Sequence, residues 1–472
     1  MKLSRPNRKI LGALILMLLM IIVAWKIALP GVTTAARDYL LSQASKSING
    51  RLEVGSINLS PFGQASFGQV RLFNQANSLI AECELISFDF SPGDLWRGNL
   101  DLNTVRTITV DGLKLDLQQD EKGNWNIATI TKPNGNTPFL FRGQGGLKNG
   151  LFSITTPLGR YEYREGEAFI DFAGYPAISL KVHAKEGNNA LSAQGSWTID
   201  GPGDLVIKSD IIDIKNYQTL LPEAFHIQLR GGTLSDVTIT VTCETSLIHA
   251  EGTAAIHGVA AALDGTDADD GQAELLLSDG SLVLALAGSA DNPAVKGSFQ
   301  IAAGTLGQIA FTDASGEYSC DNESLSITNT QANALGGIIR TSGTLTSKTT
   351  GYVQHVAGQN IDSSLLIEEA VKGRVNFVAD IGGRGEWRNA DAEGSFSMAS
   401  GNASGFSFTE LTGDFTKRRS QVAYYNIRGH VADGLARVSG ASDGDFLHLK
   451  LSLGEIQIAT KTLRAPIIQD LF

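Results

Sequence analysis

Leu447-His448-Leu449-Lys450-Leu451-Ser452-Leu453 alternates apolar and polar residues without a break, which is the period of a β-strand with one dry face and one wet face. The same period recurs in Leu113-Lys-Leu115-Asp-Leu117 and in Leu282-Val-Leu284-Ala-Leu286. Between such runs lie paired turn residues: Asp111-Gly112, Lys122-Gly123, Asn149-Gly150, Glu186-Gly187, Asp200-Gly201, Asp279-Gly280, Asp433-Gly434 and Asp443-Gly444. Asx-Gly pairs supply the positive φ of tight hairpins, so the spacing predicts hairpin after hairpin. The composition of 52 Gly, 18% charged and 7% aromatic residues fits short strands joined by many turns.

Two stretches interrupt the meander, Asp213 to Pro222 and Asn360 to Val371. Each reads as a short helical crossover followed by a glycine-led strand, and their spacing suggests a coarse repeat of roughly 140 to 150 residues. At roughly 12 to 14 residues per strand and turn, about thirty strands are expected, and at about 4.8 Å per step the sheet would extend on the order of 140 Å. So many one-sided strands do not share one compact core. The expected architecture is mostly β: an elongated, curved antiparallel sheet forming a hydrophobic groove. Alternation shows that one face is dry and leaves open whether a second protein layer or a lipid covers it. Leu113, Leu115, Leu117, Leu282, Leu284, Leu286, Leu447, Leu449, Leu451 and Leu453 are the candidate lining residues.

The N-terminus has another character. Residues Ile10 to Trp25 are uncharged, Ile27 to Leu29 extend the run past Lys26, and Lys2, Arg5, Arg8 and Lys9 precede it. That length spans a bilayer, and the basic flank predicts that residues 1–9 stay cytoplasmic while the rest is exported. Ile10, Leu14, Leu18, Ile22 and Trp25 mark the anchor. An uncleaved anchor is preferred to a signal peptide cut near Thr33-Thr34-Ala35-Ala36, because the apolar core sits at the long end for a signal and Trp25 stands where an interfacial aromatic would. Val32, Ala36, Tyr39, Leu40, Ala44 and Ile48 then share one helical stripe that Gly50 closes.

Several chemistries lack their residues. Cys83, Cys243 and Cys320 are odd in number and have no CxxC spacing, so they read as small apolar side chains. The net charge of −11 argues against nucleic acid as a partner. His183, His226, His249, His257, His355, His430 and His448 are scattered, without an HExxH or HxH pair. Asp264 to Gly271 lacks the twelfth-position glutamate of an EF-hand and reads as a hairpin tip, and Gly382-Gly-Arg-Gly385 reads as a turn rather than a phosphate loop. Trp96, Trp125, Trp197 and Trp387 form no aromatic platform with paired carboxylates, which speaks against a polysaccharide-active solenoid. No catalytic residue, metal or cofactor is expected, and the chain is read as a non-enzyme.

Arg51 to Leu59, Gly68 to Phe73, Leu79 to Phe90, Leu100 to Leu117 and Gly123-Asn-Trp-Asn126, in that order, resemble the start of the AsmA-like and TamB-like proteins of diderm bacteria. Gly195 to Pro222 and Gly373 to Gly440 resemble the TamB-type body more loosely. The resemblance implies a single-pass inner-membrane protein with its bulk in the periplasm, whose groove holds phospholipid acyl chains and serves lipid transport between membranes and outer-membrane biogenesis. The alternative it leaves is an assembly scaffold for outer-membrane or secreted proteins. An outer-membrane β-barrel partner is implied by the resemblance, but TamB proteins are usually far longer, so this chain is either a short relative or a fragment. The expected organisation is a cytoplasmic segment 1–9, an anchor 10–29, a linker helix 30–50, an AsmA-like β region 51–135, a repeated groove body 136–455 and a tail 456–472.

Overall fold

A computed structural model describes residues 50–464, apart from 61, 92, 94–103, 121–123, 129–140, 158, 200, 221–226, 245–246, 264–272, 290–291, 322, 347–350, 367–370, 385–389, 404, 419–420, 432–433, 444–445 and 454–455. The anchor 10–29, the linker stripe, the acidic loop 264–271, Lys122-Gly123, Trp96 and Trp387 lie outside the described residues, as does residue 465 onward. Among the described residues no helix is long and apolar enough to cross a membrane. Those residues are almost entirely β, in 26 strands. Contacts divide the chain into two units, Met1–Val206 and Ile207–Phe472.

The first unit begins as an antiparallel meander of β1 (Arg51–Ser60), β2 (Gln64–Phe73) and β3 (Leu79–Phe90). β4 (Val105–Asp111) and β5 (Lys114–Gln118) both pair antiparallel with β3. Both then pair parallel with β6 (Gln144–Thr156). Asp111-Gly112 is therefore no hairpin turn. It is a break within one long strand, where Gly112 takes φ +65°. A parallel step needs a long return connection, and residues 119–143 supply it. Antiparallel pairing resumes through β7 (Gly159–Asp171), β8 (Ala177–Glu186) and β9 (Asn189–Thr198).

β10 (Gly203–Asp213) carries the chain over the unit boundary into a 3-10 segment, Ile214–Leu220. The second unit then runs antiparallel from β11 (Ile227–Glu244) and β12 (Leu247–Leu263) onward. β13 (Ala273–Leu277) and β14 (Gly280–Ser289) both pair with β12 and both with β15 (Asn292–Leu306). Ser278-Asp279 is thus a second break within one strand, and Asp279-Gly280 is likewise not a hairpin turn. The meander continues through β16 (Ile309–Cys320), β17 (Ser324–Ala334), β18 (Gly337–Thr346) and β19 (Gly351–Asp362). A helical turn at Ser363–Leu366 follows β19. The strands flanking it, β19 and β20 (Val371–Arg384), pair directly and antiparallel, so this helical element is a hairpin connection and not a crossover. β21 (Asp391–Ala403), β22 (Phe406–Arg418), β23 (Gln421–Val431), β24 (Gly434–Asp443), β25 (Phe446–Leu453) and β26 (Ile456–Arg464) complete the ladder.

The ladder is regularly bulged. Asn149 and Glu165 in the first unit, and Asp236, Asp313, Asn329, Asn360, Glu410 and Asn426 in the second, all take φ between 49° and 58° inside strands. Each sits at a register shift. An extra residue bends its strand and increases the local twist. Polar side chains suit these positions because they tolerate the left-handed region and bond to a neighbouring strand: Asn149 to Asp111 at 2.8 Å, Asn329 to Glu317 at 2.9 Å and Asn426 to Asp414 at 2.9 Å. Asn149-Gly150, expected as a turn, is such a bulge within β6.

Candidate apolar groove

Within the first unit the register aligns apolar side chains into a row perpendicular to the strands. It runs Ile57, Phe67, Ile86, Val110, Leu147, Ala168, Val182 and Ala193, one residue from each successive strand. A parallel row passes through Leu72, Ala81, Leu115 and Phe152. All described strands of the unit belong to one hydrogen-bonded sheet, so no second sheet among them covers this face. Phe141, only 2% exposed, comes down from the return connection and closes one part of it against Ala65, Phe67, Val70, Cys83, Phe90 and Val105. Its ring meets Phe172 edge-on at 5.3 Å between centroids.

Away from Phe141 the face is only half-covered. β8 alternates strictly, with Ala177, Ser179, Lys181 and His183 exposed and Ile178, Leu180 and Val182 half-buried. Burial of the Cys83 thiol near the covered end pushes its pKa up, against a hydrogen bond from Val70 and with Glu82 adding to the rise, as expected of an inert apolar cysteine.

The second unit divides differently. Leu282, Leu284 and Leu286 on β14 face Phe299, Gly297 and Val295 on β15, and all three leucines are half-buried. Leu282 packs beside the small cluster of Ile256, Ile301 and Ala314. Over β19 to β22 the corresponding face is a closed core: Tyr352, Val356, Ile361, Val375, Phe377, Ile381, Ala392, Met398 and Phe408 are buried together. Lys417 is buried on the same face, paired in register with Ala392 and Val422. Desolvation lowers its pKa, opposed by Asp391. Along β19 to β22 the apolar side chains thus bury one another.

Much of the glycine serves these faces and not turns. Gly394 stands opposite Phe415, and a Cβ on it would lie 2.7 Å from the ring; Gly413 opposite Phe396 gives 2.5 Å, and Gly316 opposite Phe299 gives 2.8 Å. Gly383, expected in a turn, lies inside β20 against Tyr352. A glycine in a strand lets the facing aromatic lie down on the backbone, so large rings cover the sheet without protruding.

Of the expected lining residues, Leu113, Leu115 and Leu117 are half-buried in the first unit, Leu113 against the Phe67 and Val70 cluster. Lys114 points to the opposite face, where its Nζ lies 3.0 Å from Glu82. Leu447, Leu449, Leu451 and Leu453 occupy alternate register positions of β25 beside Ser442, Gly440, Val438 and Ala436, and their side chains are outside the described residues. Sequence reasoning passed over Ile178, Leu180 and Val182, although their alternation is as regular as that of the three stretches it used. Among the described residues no cluster of three or more His, Cys, Asp or Glu is placed to hold a metal ion. No protein-family model, no curated protein and no solved structure matches the chain.

Proposed function

We propose that the protein is a membrane-anchored envelope protein of the AsmA-like and TamB-like kind, whose half-covered apolar face holds phospholipid acyl chains in transit between the inner and outer membranes. The observation that carries this reading is the apolar row from Ile57 to Ala193. It crosses eight strands, is not covered by a second sheet among the described strands of the first unit, and is only partly buried from β6 to β9. An apolar surface of that continuity is costly in water and calls for an apolar occupant. Each methylene moved from water onto such a face gains about 0.8 kcal/mol, so an acyl chain is held without a reaction or an energy source in the chain. The charge-free run Ile10 to Trp25 supports attachment to the inner membrane, and the order of the segments from Arg51 to Asn126 supports the family.

The test is acyl binding by the delipidated full chain, followed with a fluorescent fatty-acyl phospholipid. Binding that competes with unlabelled phospholipid and is lost in Leu180→Asp, with the fold retained by circular dichroism, supports the proposal. Equal binding by the wild type and Leu180→Asp overturns it.

A further inference from the structure

The polar face of the second unit carries an arrangement that the scattered sequence positions conceal. Ser235 Oγ lies 2.8 Å from His257 Nε2, and His257 Nδ1 lies 2.8 Å from Asp279 Oδ1. The three residues come from β11, β12 and the break between β13 and β14. Their neighbours Leu234 and Ile256 point the other way, into the apolar cluster with Ile301, so the trio belongs to the wet face.

The wiring has a definite chemical sense. The Asp279 carboxylate only accepts, so it holds a proton of His257 on Nδ1, and in the neutral imidazole this leaves Nε2 as the acceptor for the Ser235 hydroxyl. A carboxylate, an imidazole held in that tautomer and a hydroxyl on Nε2 make up the nucleophilic triad, which is recognised by geometry and not by sequence order. Each member adjoins a backbone irregularity. Asp236, next to Ser235, takes φ 52°, and Gly258, next to His257, takes φ 56°. Asp279 sits where the strand breaks, with its carbonyl accepting from the Ala302 N–H at 2.8 Å. Bulges re-aim side chains in this way beside active sites.

The trio lies on an exposed surface. Gly231 and Gly258 have open space where a side chain would stand. Asp236 and Val237, which directly follow the nucleophile, fall in the gap of the β11–β12 register between Ser235 and Thr238. His257 is 46% exposed and Asp279 79% exposed, so the site is open to water and suits a small ester rather than a long acyl chain.

We propose that Ser235, His257 and Asp279 form an acyl-accepting nucleophile site on this face, separate from the apolar groove and independent of the groove's role. Ser235 Oγ attacks the ester carbonyl while His257 Nε2 takes its proton. The tetrahedral intermediate collapses, the C–O bond to the alcohol breaks, and His257 returns the proton to the leaving alkoxide. Water, deprotonated by His257, then cleaves the acyl-serine to the free carboxylic acid, and the proton returns to Ser235. Ser235 and His257 are the catalytic residues; Asp279 positions His257.

The experiment is labelling of the purified full chain with a small alkyl fluorophosphonate, with the modified residue located by peptide mass spectrometry and the rate followed in time. General-base activation is worth about 10²- to 10⁴-fold, so Ser235 is expected to label at least about 10²-fold faster than any other serine. His257→Ala is expected to slow it at least about tenfold, with partial rescue by free imidazole. Asp279→Asn is expected to slow it and to alter the pH profile of the rate. All are surface substitutions, and unchanged melting confirms the fold. Labelling of Ser235 no faster than of other serines, or an unchanged rate in His257→Ala, overturns the proposal.

Discussion

Phe377 of β20 lies across Gly358 of β19, its register partner, so closely that any Cβ at 358 would overlap the ring. The pair shows how a glycine-rich sheet buries large aromatics on a shallow face. Gly358→Ala forces the ring or the backbone aside, and overpacking of this kind costs about 1–3 kcal/mol. Gly382→Ala on the same sheet is the control, since its nearest foreign atom is the Tyr352 carbonyl oxygen at 3.6 Å. Urea unfolding is expected to show a lowered midpoint for Gly358→Ala and a near-unchanged one for Gly382→Ala.

Asn426 stands at a bulge of β23 with φ 54°, its amide bonded to Asp414 at 2.9 Å. A β-branched residue is strained there, so Asn426→Val is expected to cost about 1–3 kcal/mol. Asn426→Gly removes the strain along with the bond and is expected to lose about 1 kcal/mol or less. Thermal melting of both variants checks the order.

The Asp362 carboxylate accepts hydrogen bonds from the Ser364 hydroxyl at 2.7 Å and the Ser364 N–H at 3.0 Å. These bonds, the hydroxyl first, with a smaller contribution from Arg374, hold its pKa below the usual aspartate range. A carboxyl whose folded pKa is depressed contributes stability that is fully present above its unfolded value near 3.9 and is lost as pH falls through the folded one. Asp362→Asn is therefore expected to melt with a shallower dependence on pH below about 4. A slope identical to that of the wild type contradicts the assignment.

The strands were legible because alternation is enforced wherever one face is dry, as in Leu113 to Leu117 and Leu282 to Leu286. The connections were less legible. Asp111-Gly112 and Asp279-Gly280 carry the same residues as a hairpin turn, yet each only breaks a strand, because whether the chain reverses is decided by the strand on either side and not by the dipeptide. The parallel step from β5 to β6 left no local mark, since its evidence is the pairing of Leu115 with Phe152 across a long connection. The role of the glycines at 358, 394 and 413 left no local mark because their aromatic partners lie one strand away. Ser235, His257 and Asp279 are 22 residues apart in sequence at each step, and only the register brings them together.

Photo-crosslinking in cells tests the central claim most directly. A photoreactive side chain is placed at Leu180 and Leu115 on the apolar face, and at Lys181 and Lys114 on the polar face. Lipid adducts at Leu180 and Leu115, with none at Lys181 and Lys114, are the predicted result. Protein adducts at the leucines point to a client-binding scaffold, and the absence of adducts marks an ordinary packed face; either outcome contradicts the lipid groove.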